Sequence, residues 1–300
     1  MIKRTLFFTN PAYLSTKNNQ LVVNYPDDDK PTKTVPIEDI GMLVLENQQI
    51  TVTNGLISKL VKNKAAIINC DSFHLPISLL QPLIGHSEQT ERIKHQLNAS
   101  IPLKKNLWQQ TISAKIYNQA QFLEEKNIPN RKMYKWATEV KSGDIENHES
   151  RAAVYYWQHI LGIENFTRAQ KEVAPNNLLN YGYAILRAIT ARALVSSGML
   201  PSVGIFHHNK YNAFCLADDI MEPYRIYVDV LVDTIVASEE NYEELTTQLK
   251  MSLLQLPTMD VVIDGNKSPL MVAMSRTTNS LYECFAGISR KILYPVYSFK

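Results

Sequence analysis

The chain has 300 residues, 45% of them hydrophobic, and 31 Lys and Arg against 29 Asp and Glu give a net charge of +2. That apolar share suffices for one large core or two smaller ones, and no run approaches the ~20 apolar residues of a membrane span. The start at Met1-Ile2-Lys3-Arg4 lacks the apolar stretch of a signal peptide, so a soluble cytoplasmic protein is expected, and the near-neutral charge excludes a uniformly basic nucleic-acid binder.

Residues 1 to about 75 read as β-rich. Arg4-Thr5-Leu6-Phe7-Phe8-Thr9 and Gln20-Leu21-Val22-Val23-Asn24 are short runs of β-favouring residues, separated by turn chemistry at Asn10-Pro11, Asn18-Asn19 and Pro26-Asp27-Asp28-Asp29. Thr34-Val35-Pro36-Ile37 and Met42-Leu43-Val44-Leu45 continue the pattern, and Pro36 assigns its strand to an edge or a bulge. A helix over Thr53 to Lys62, with Leu56, Leu60 and Val61 on one face, precedes a strand at Ala65 to Cys70.

From about residue 88 the period becomes helical. A polar helix starts at Ser87-Glu88-Gln89, and Leu103 to Lys126 predicts a long amphipathic one. Leu178, Ile185 and Ile189 recur at helical spacing with Leu179, Leu186 and Ala193, and Gly198 followed by Pro201 ends that helix. Ala213 to Val236, Thr246 to Leu256 and Pro269 to Ile292 predict further helices, the last carrying Arg276, Arg290 and Lys291. The patterns break between Pro76 and His86. The expected fold class is α+β: a β-sandwich-like domain over residues 1–85, then a larger all-α catalytic domain over residues 86–300. Cys70, Cys215 and Cys284 lie far apart, which argues against disulfides and a structural zinc site.

The densest acidic cluster is Ala217-Asp218-Asp219-Ile220-Met221-Glu222-Pro223-Tyr224-Arg225. On a helix Asp219 and Glu222, three apart, share a face, as do Asp218 and Glu222, four apart; like charges there repel unless a cation lies between them. Gly204-Ile205-Phe206-His207-His208 stands just upstream. Carboxylates with one imidazole suit magnesium or manganese better than zinc. A solvated acidic face beside a histidine is the plainer alternative. Glu149, in Asn147-His148-Glu149-Ser150-Arg151-Ala152-Ala153, opens a helix where the dipole favours a carboxylate. The isolated histidines His74, His86, His95 and His159 read as surface or packing residues.

The order and spacing of Glu149-Ser150-Arg151-Ala152-Ala153, Pro175-Asn176-Asn177-Leu178-Leu179-Asn180-Tyr181-Gly182-Tyr183, Gly204-Ile205-Phe206-His207, Tyr211-Asn212-Ala213-Phe214 and Asp219-Ile220-Met221-Glu222-Pro223-Tyr224-Arg225 resemble one family. It is the integrase of CRISPR adaptation, CRISPR-associated protein one, most similar to the variant of type II systems. The resemblance covers essentially the whole chain, including Pro36-Ile37-Glu38-Asp39-Ile40. It implies Glu149, His207 and Glu222 as catalytic ligands of Mg2+ or Mn2+, and Asp219 as a supporting acid. Many relatives have aspartate at the position of Glu222. Lys210 and Arg225 match positions that touch DNA in some relatives; Arg225 is equally readable as an ion-pair partner of the acidic cluster. The implied reaction is attack of a captured fragment's 3′-hydroxyl on a phosphodiester at the repeat boundary. The implied partners are double-stranded DNA (protospacer and CRISPR repeat), a second copy in a homodimer, the small CRISPR-associated protein two in a heterohexamer, and the RNA-guided effector nuclease, with no membrane. Two other readings are a metal-dependent nuclease of branched DNA in repair and a non-catalytic DNA-binding scaffold.

Overall fold

The computed structural model describes residues 3–27, 30–168, 173–238 and 241–298. The chain divides into two compact units, Met1–Gly85 and His86–Lys300.

The first unit contains β1 (Arg4–Phe8), β2 (Tyr13–Lys17), β3 (Gln20–Asn24), β4 (Lys33–Pro36), β5 (Ile40–Leu45), β6 (Thr51–Val52), α1 (Asn54–Lys62), β7 (Ala66–Cys70) and β8 (Pro76–Leu80). They form two four-stranded sheets, ordered β1-β5-β7-β8 and β4-β3-β2-β6. β5 is a nearly continuous buried apolar run because it lies between two parallel neighbours, β1 and β7. Between β2 and β3, Asn18 and Asn19 take positive φ of 50° and 58°, the two-residue turn whose twist suits a hairpin. Pro36, which has no N–H to donate, closes β4 at a sheet edge. Leu14, Leu21 and Val23 of one sheet share a core with Leu43 and Ile67 of the other and with Leu56 and Leu60 of α1. Thr53 caps α1 by accepting the Leu56 N–H.

The second unit is mainly helical: α2 (Gln89–Asn98), α3 (Ile101–Glu125), α4 (Arg131–Glu139), α5 (His148–His159), α6 (Asn176–Ser196), α7 (Cys215–Met221), α8 (Arg225–Ala237), α9 (Thr247–Leu253) and α10 (Leu270–Phe285). A small sheet of β9 (Asp260–Ile263), β10 (Asn266–Pro269) and β11 (Pro295–Val296) completes it. Gly198, at φ 75°, ends α6 with a Schellman turn: its N–H donates to Val195 and that of Met199 to Leu194. A Cβ on Gly182 would lie 2.4 Å from Val228, so the glycine lets α6 and α8 pack closely.

Two helical expectations change. Ala213 to Val236 is not one helix, because Pro223 lacks the N–H an α-helix needs; a 3-10 turn at Glu222–Tyr224 separates α7 from α8. The last helix stops at Phe285, with Gly287 at φ 73°, so Arg290 and Lys291 lie outside it. Cys70, Cys215 and Cys284 are all buried.

Asp229 of α8 lies in this core, accepting from Tyr156 of α5 at 2.9 Å and Tyr183 of α6 at 2.5 Å. Burial pushes its carboxyl from 3.8 up to about 6, against those two hydrogen bonds. The folded chain therefore holds this proton more tightly than the unfolded one. The resulting stability is present below pH 3.8 and lost as pH rises through about 6. Asp229→Asn is expected to gain about 3 kcal/mol on the wild type between about pH 3.5 and pH 7, at about 1.4 kcal/mol per unit. Urea unfolding at the two pH values reads this; an unchanged difference would exonerate Asp229.

Candidate active site

The site is built on α3. Its buried stripe runs through Trp108, Thr111, Ile112, Asn118, Gln119 and Phe122, and Lys115 falls in register with it. The Lys115 ammonium donates to Glu149 Oε1 at 2.7 Å and lies 2.7 Å from Glu222 Oε2. Burial pulls the Lys115 pKa down, but Glu222 and then Glu149 outweigh it, so the amine stays charged.

Glu149 is in the first turn of α5, where the helix dipole favours a carboxylate. Asp144 fixes that terminus by accepting the N–H groups of His148 and Glu149, both at 2.9 Å. Below Glu149, Ala152 and Tyr156 are fully buried.

Glu222 opens the 3-10 turn and is 5% exposed. Arg225 holds its Oε1 at 2.9 Å while packing over the Tyr183 ring. Burial pushes the Glu222 carboxyl up, but Arg225 and then Lys115 bring it below the usual carboxylate range. Lys115 lies 2.7 Å from Oε2, a buried oxygen, and its contact there helps to hold the carboxyl low. Asn118 of α3 positions the turn: its amide donates to the Pro223 carbonyl at 2.9 Å and to Pro295 at 3.1 Å, and its oxygen accepts from Tyr297.

His207 is carried by a loop closed around Asp219, which is 0% exposed. Asp219 Oδ2 accepts from the backbone of Ile205 at 2.7 Å and Phe206 at 3.0 Å. Its Oδ1 accepts from the His207 N–H at 3.2 Å and pairs with His207 Nδ1 at 2.5 Å. The Asp219 hydrogen bond raises the His207 pKa against burial, with smaller Coulombic pulls from Asp219, Glu222 and Glu149. Gly204 is required here: a Cβ would come 2.3 Å from the His207 carbonyl oxygen and 2.8 Å from Asp219 Oδ2. Phe206 stacks on Trp108 at 4.2 Å, and His207 meets Trp108 edge-on at 5.6 Å.

Glu149 and Glu222 are thus joined by one ammonium, within electrostatic reach of His207. Asp219 anchors the histidine loop. Asp218 turns elsewhere, to Arg187 at 2.6 Å and Asn212 at 2.7 Å. His208 is exposed in the loop. Lys210 is exposed too, its ammonium 4.8 Å over the ring of Tyr211, which is 85% exposed. Arg225 makes the ion pair with Glu222 and keeps 28% of its side chain exposed. Sequence reasoning missed Lys115, Asn118 and Asp144. A lysine in the apolar stripe of α3 was the available signal, since such a charge is buried only with partners.

The residues fit a divalent cation in their chemistry. Two carboxylates already converge on one positive charge, and the buried Glu222 Oε2 faces that charge at 2.7 Å. The Asp219 contact engages His207 Nδ1 and leaves Nε2 available, the orientation that carboxylate–imidazole pairs have in metal sites. Among the described residues no three His, Cys, Asp or Glu side chains are already arranged to hold an ion. Lys115 is between two of the three.

Comparison with known proteins agrees with the fold. The sequence profile described as CRISPR associated protein Cas1 matches residues 6–255. The CRISPR-associated endonuclease Cas1 of Neisseria meningitidis serogroup C is 35% identical over 293 residues, 97% of this chain and 94% of the relative. A casposase bound to integration product shares the fold with a TM-score of 0.78 at 18% identity, over 97% of this chain and 92% of that one. A chain of a Cas6-RT-Cas1–Cas2 complex gives 0.73 at 18% identity over 99% of this chain, which spans 36% of that longer one. A profile match over most of the sequence and an end-to-end relative at this identity show that the chain belongs to the Cas1 family of CRISPR-associated endonucleases.

Proposed function

We propose that this protein is the metal-dependent integrase of a type II-like CRISPR adaptation complex. The observation that carries the reading is the convergence of Glu149 and Glu222 on one cation beside a histidine loop pinned by Asp219. Glu149, Glu222 and His207 Nε2 would hold Mg2+ or Mn2+. When bound, the ion supplies charge neutralisation at the phosphate and aids deprotonation of the nucleophile. Arg225 keeps Glu222 ionised, and Asp219 holds the imidazole with Nε2 available. Lys210, on the exposed loop after His207, would contact a DNA phosphate. The 3′-hydroxyl of a captured fragment replaces the 3′-oxygen of the repeat strand at phosphorus, so one phosphodiester forms as another breaks and no ATP is needed. Water in place of that hydroxyl makes the site a nuclease.

The likeness to part of a Cas1–Cas2 complex supports Cas2 as the partner in a heterohexamer. A homodimer is supported by the exposed apolar side chains Phe73, Ile77, Leu83 and Ile84 in the first unit. The effector nuclease is the further partner proposed.

The test is strand transfer of a short duplex into a repeat-bearing plasmid with Cas2 present. Products should vanish with chelator and return with either ion. Cutting of branched DNA without joining would favour the repair nuclease, and binding without chemistry the scaffold. In the same assay His207→Ala is expected to be inactive, while His208→Ala keeps at least about a tenth of the rate, a barrier change within about 1.4 kcal/mol. The reverse pattern would make His208 the ligand.

A further inference from the structure

Lys115 stands where the proposed metal centre wants its ion. Its ammonium is 2.7 Å from Glu149 Oε1 and 2.7 Å from Glu222 Oε2, while Arg225 takes the remaining oxygen of Glu222 at 2.9 Å. Two carboxylates against two side-chain cations sum to zero. A dication added with the ammonium still in place would take this set to +2, with Glu222 almost wholly out of water. The two contacts are also of a kind that can be given up, since each is a single ion pair made by one ammonium. A lysine is a point charge on a flexible four-carbon stem, unlike the planar fork of arginine.

We propose that Lys115 is a tethered counter-ion of this centre: its ammonium and a divalent cation occupy the Glu149–Glu222 pair in turn, so that the site loads by exchange. This rests on the reading that those two glutamates bind the metal. Before loading, the ammonium keeps the two carboxylates neutralised and holds α3, α5 and the 222–224 turn together. On loading it swings away, and each ion bound must displace it. The exchange lowers metal affinity and leaves the empty site folded.

Mn2+ binding to the full-length protein, read at fixed pH from the paramagnetic resonance of free Mn2+, tests this alongside thermal unfolding in chelator and in Mn2+. Lys115→Met is expected to bind Mn2+ at least about tenfold more tightly than the wild type, ~1.4 kcal/mol. It should melt lower than the wild type in chelator and recover more of its Tm on adding Mn2+. Lys115→Arg, which keeps the charge, should bind no more tightly than the wild type. A crystal structure of the Mn2+-loaded wild type should show Nζ out of contact with both glutamates, and this holds the question open to refutation even if Lys115→Met does not fold. Unchanged or weaker Mn2+ binding by Lys115→Met, or an ammonium still bridging both glutamates in the loaded protein, overturns the proposal. Glu149→Gln and Glu222→Gln serve as separate controls. If Mn2+ binding survives in both, the metal-site reading itself falls, whatever Lys115 does.

Discussion

Glu149→Gln and Glu222→Gln are each expected to slow strand transfer by at least about a thousandfold, about 4 kcal/mol in the barrier. Loss of a group that merely orients a metal ligand already costs 10- to 100-fold, and these residues are the proposed ligands themselves. The amide variants are more informative than alanine because they keep the volume of the side chain. Glu222 is 5% exposed and lies between Arg225 and Lys115, so Glu222→Ala would take the carboxylate from Arg225 and leave Lys115 with Glu149 alone, beside a cavity. Breaking a buried pair in that way costs about 3–5 kcal/mol and would confuse lost chemistry with lost structure. The two positions should also differ in stability. The Glu149 side chain is 26% exposed and among the described residues pairs with Lys115 alone, so Glu149→Gln should leave Tm nearly unchanged, whereas Glu222→Gln lowers it by several degrees. Single-turnover rates at saturating Mn2+, with a melting curve for each variant, separate the two effects. A Glu149→Gln rate within a factor of about ten of the wild type would remove that residue from the ligand set.

Asp219→Ala should lower stability by about 3–5 kcal/mol, together with loss of strand transfer. Its two oxygens accept three backbone N–H groups and pair with the His207 ring. Removing them leaves the Ile205 and Phe206 donors without their acceptor and frees the imidazole to turn. Asp219→Asn should fall between, since an amide offers one accepting oxygen where the loop uses two. Urea denaturation gives the stability, and the strand-transfer assay gives the activity. A fully stable Asp219→Ala protein that still joins DNA would show that the loop holds His207 by other means.

Local patterns carried most of the architecture. The hairpin at Asn18-Asn19, the cap at Thr53 and the stop at Gly198 each depend on neighbours within a few residues, so the chain displays them directly. The small sheet of β9, β10 and β11 was partly legible as well. Asp264-Gly265, with φ of 52° and 71°, is a two-residue hairpin signal between β9 and β10. It is easily passed over beside a strong helical pattern that starts at Pro269. The break at Pro223 was also present in the chain, but the acidic cluster around it reads as one helix until the proline's missing donor is taken into account.

By itself the sequence determined the helical and strand periods, the order of the motifs and the candidate ligands Glu149, His207 and Glu222. Only the tertiary structure decided what those ligands meet. Lys115 belongs to a helix far from both glutamates in sequence, and three elements must pack before its ammonium lies between them. Asp219 and Glu222 are three residues apart, yet one faces the loop backbone and the other the cations of α3 and α8. Spacing fixes which side chains can share a helix face, but not which charges a fold brings against that face. A charge taken from water must find its partner across the core, and that choice depends on how the helices pack.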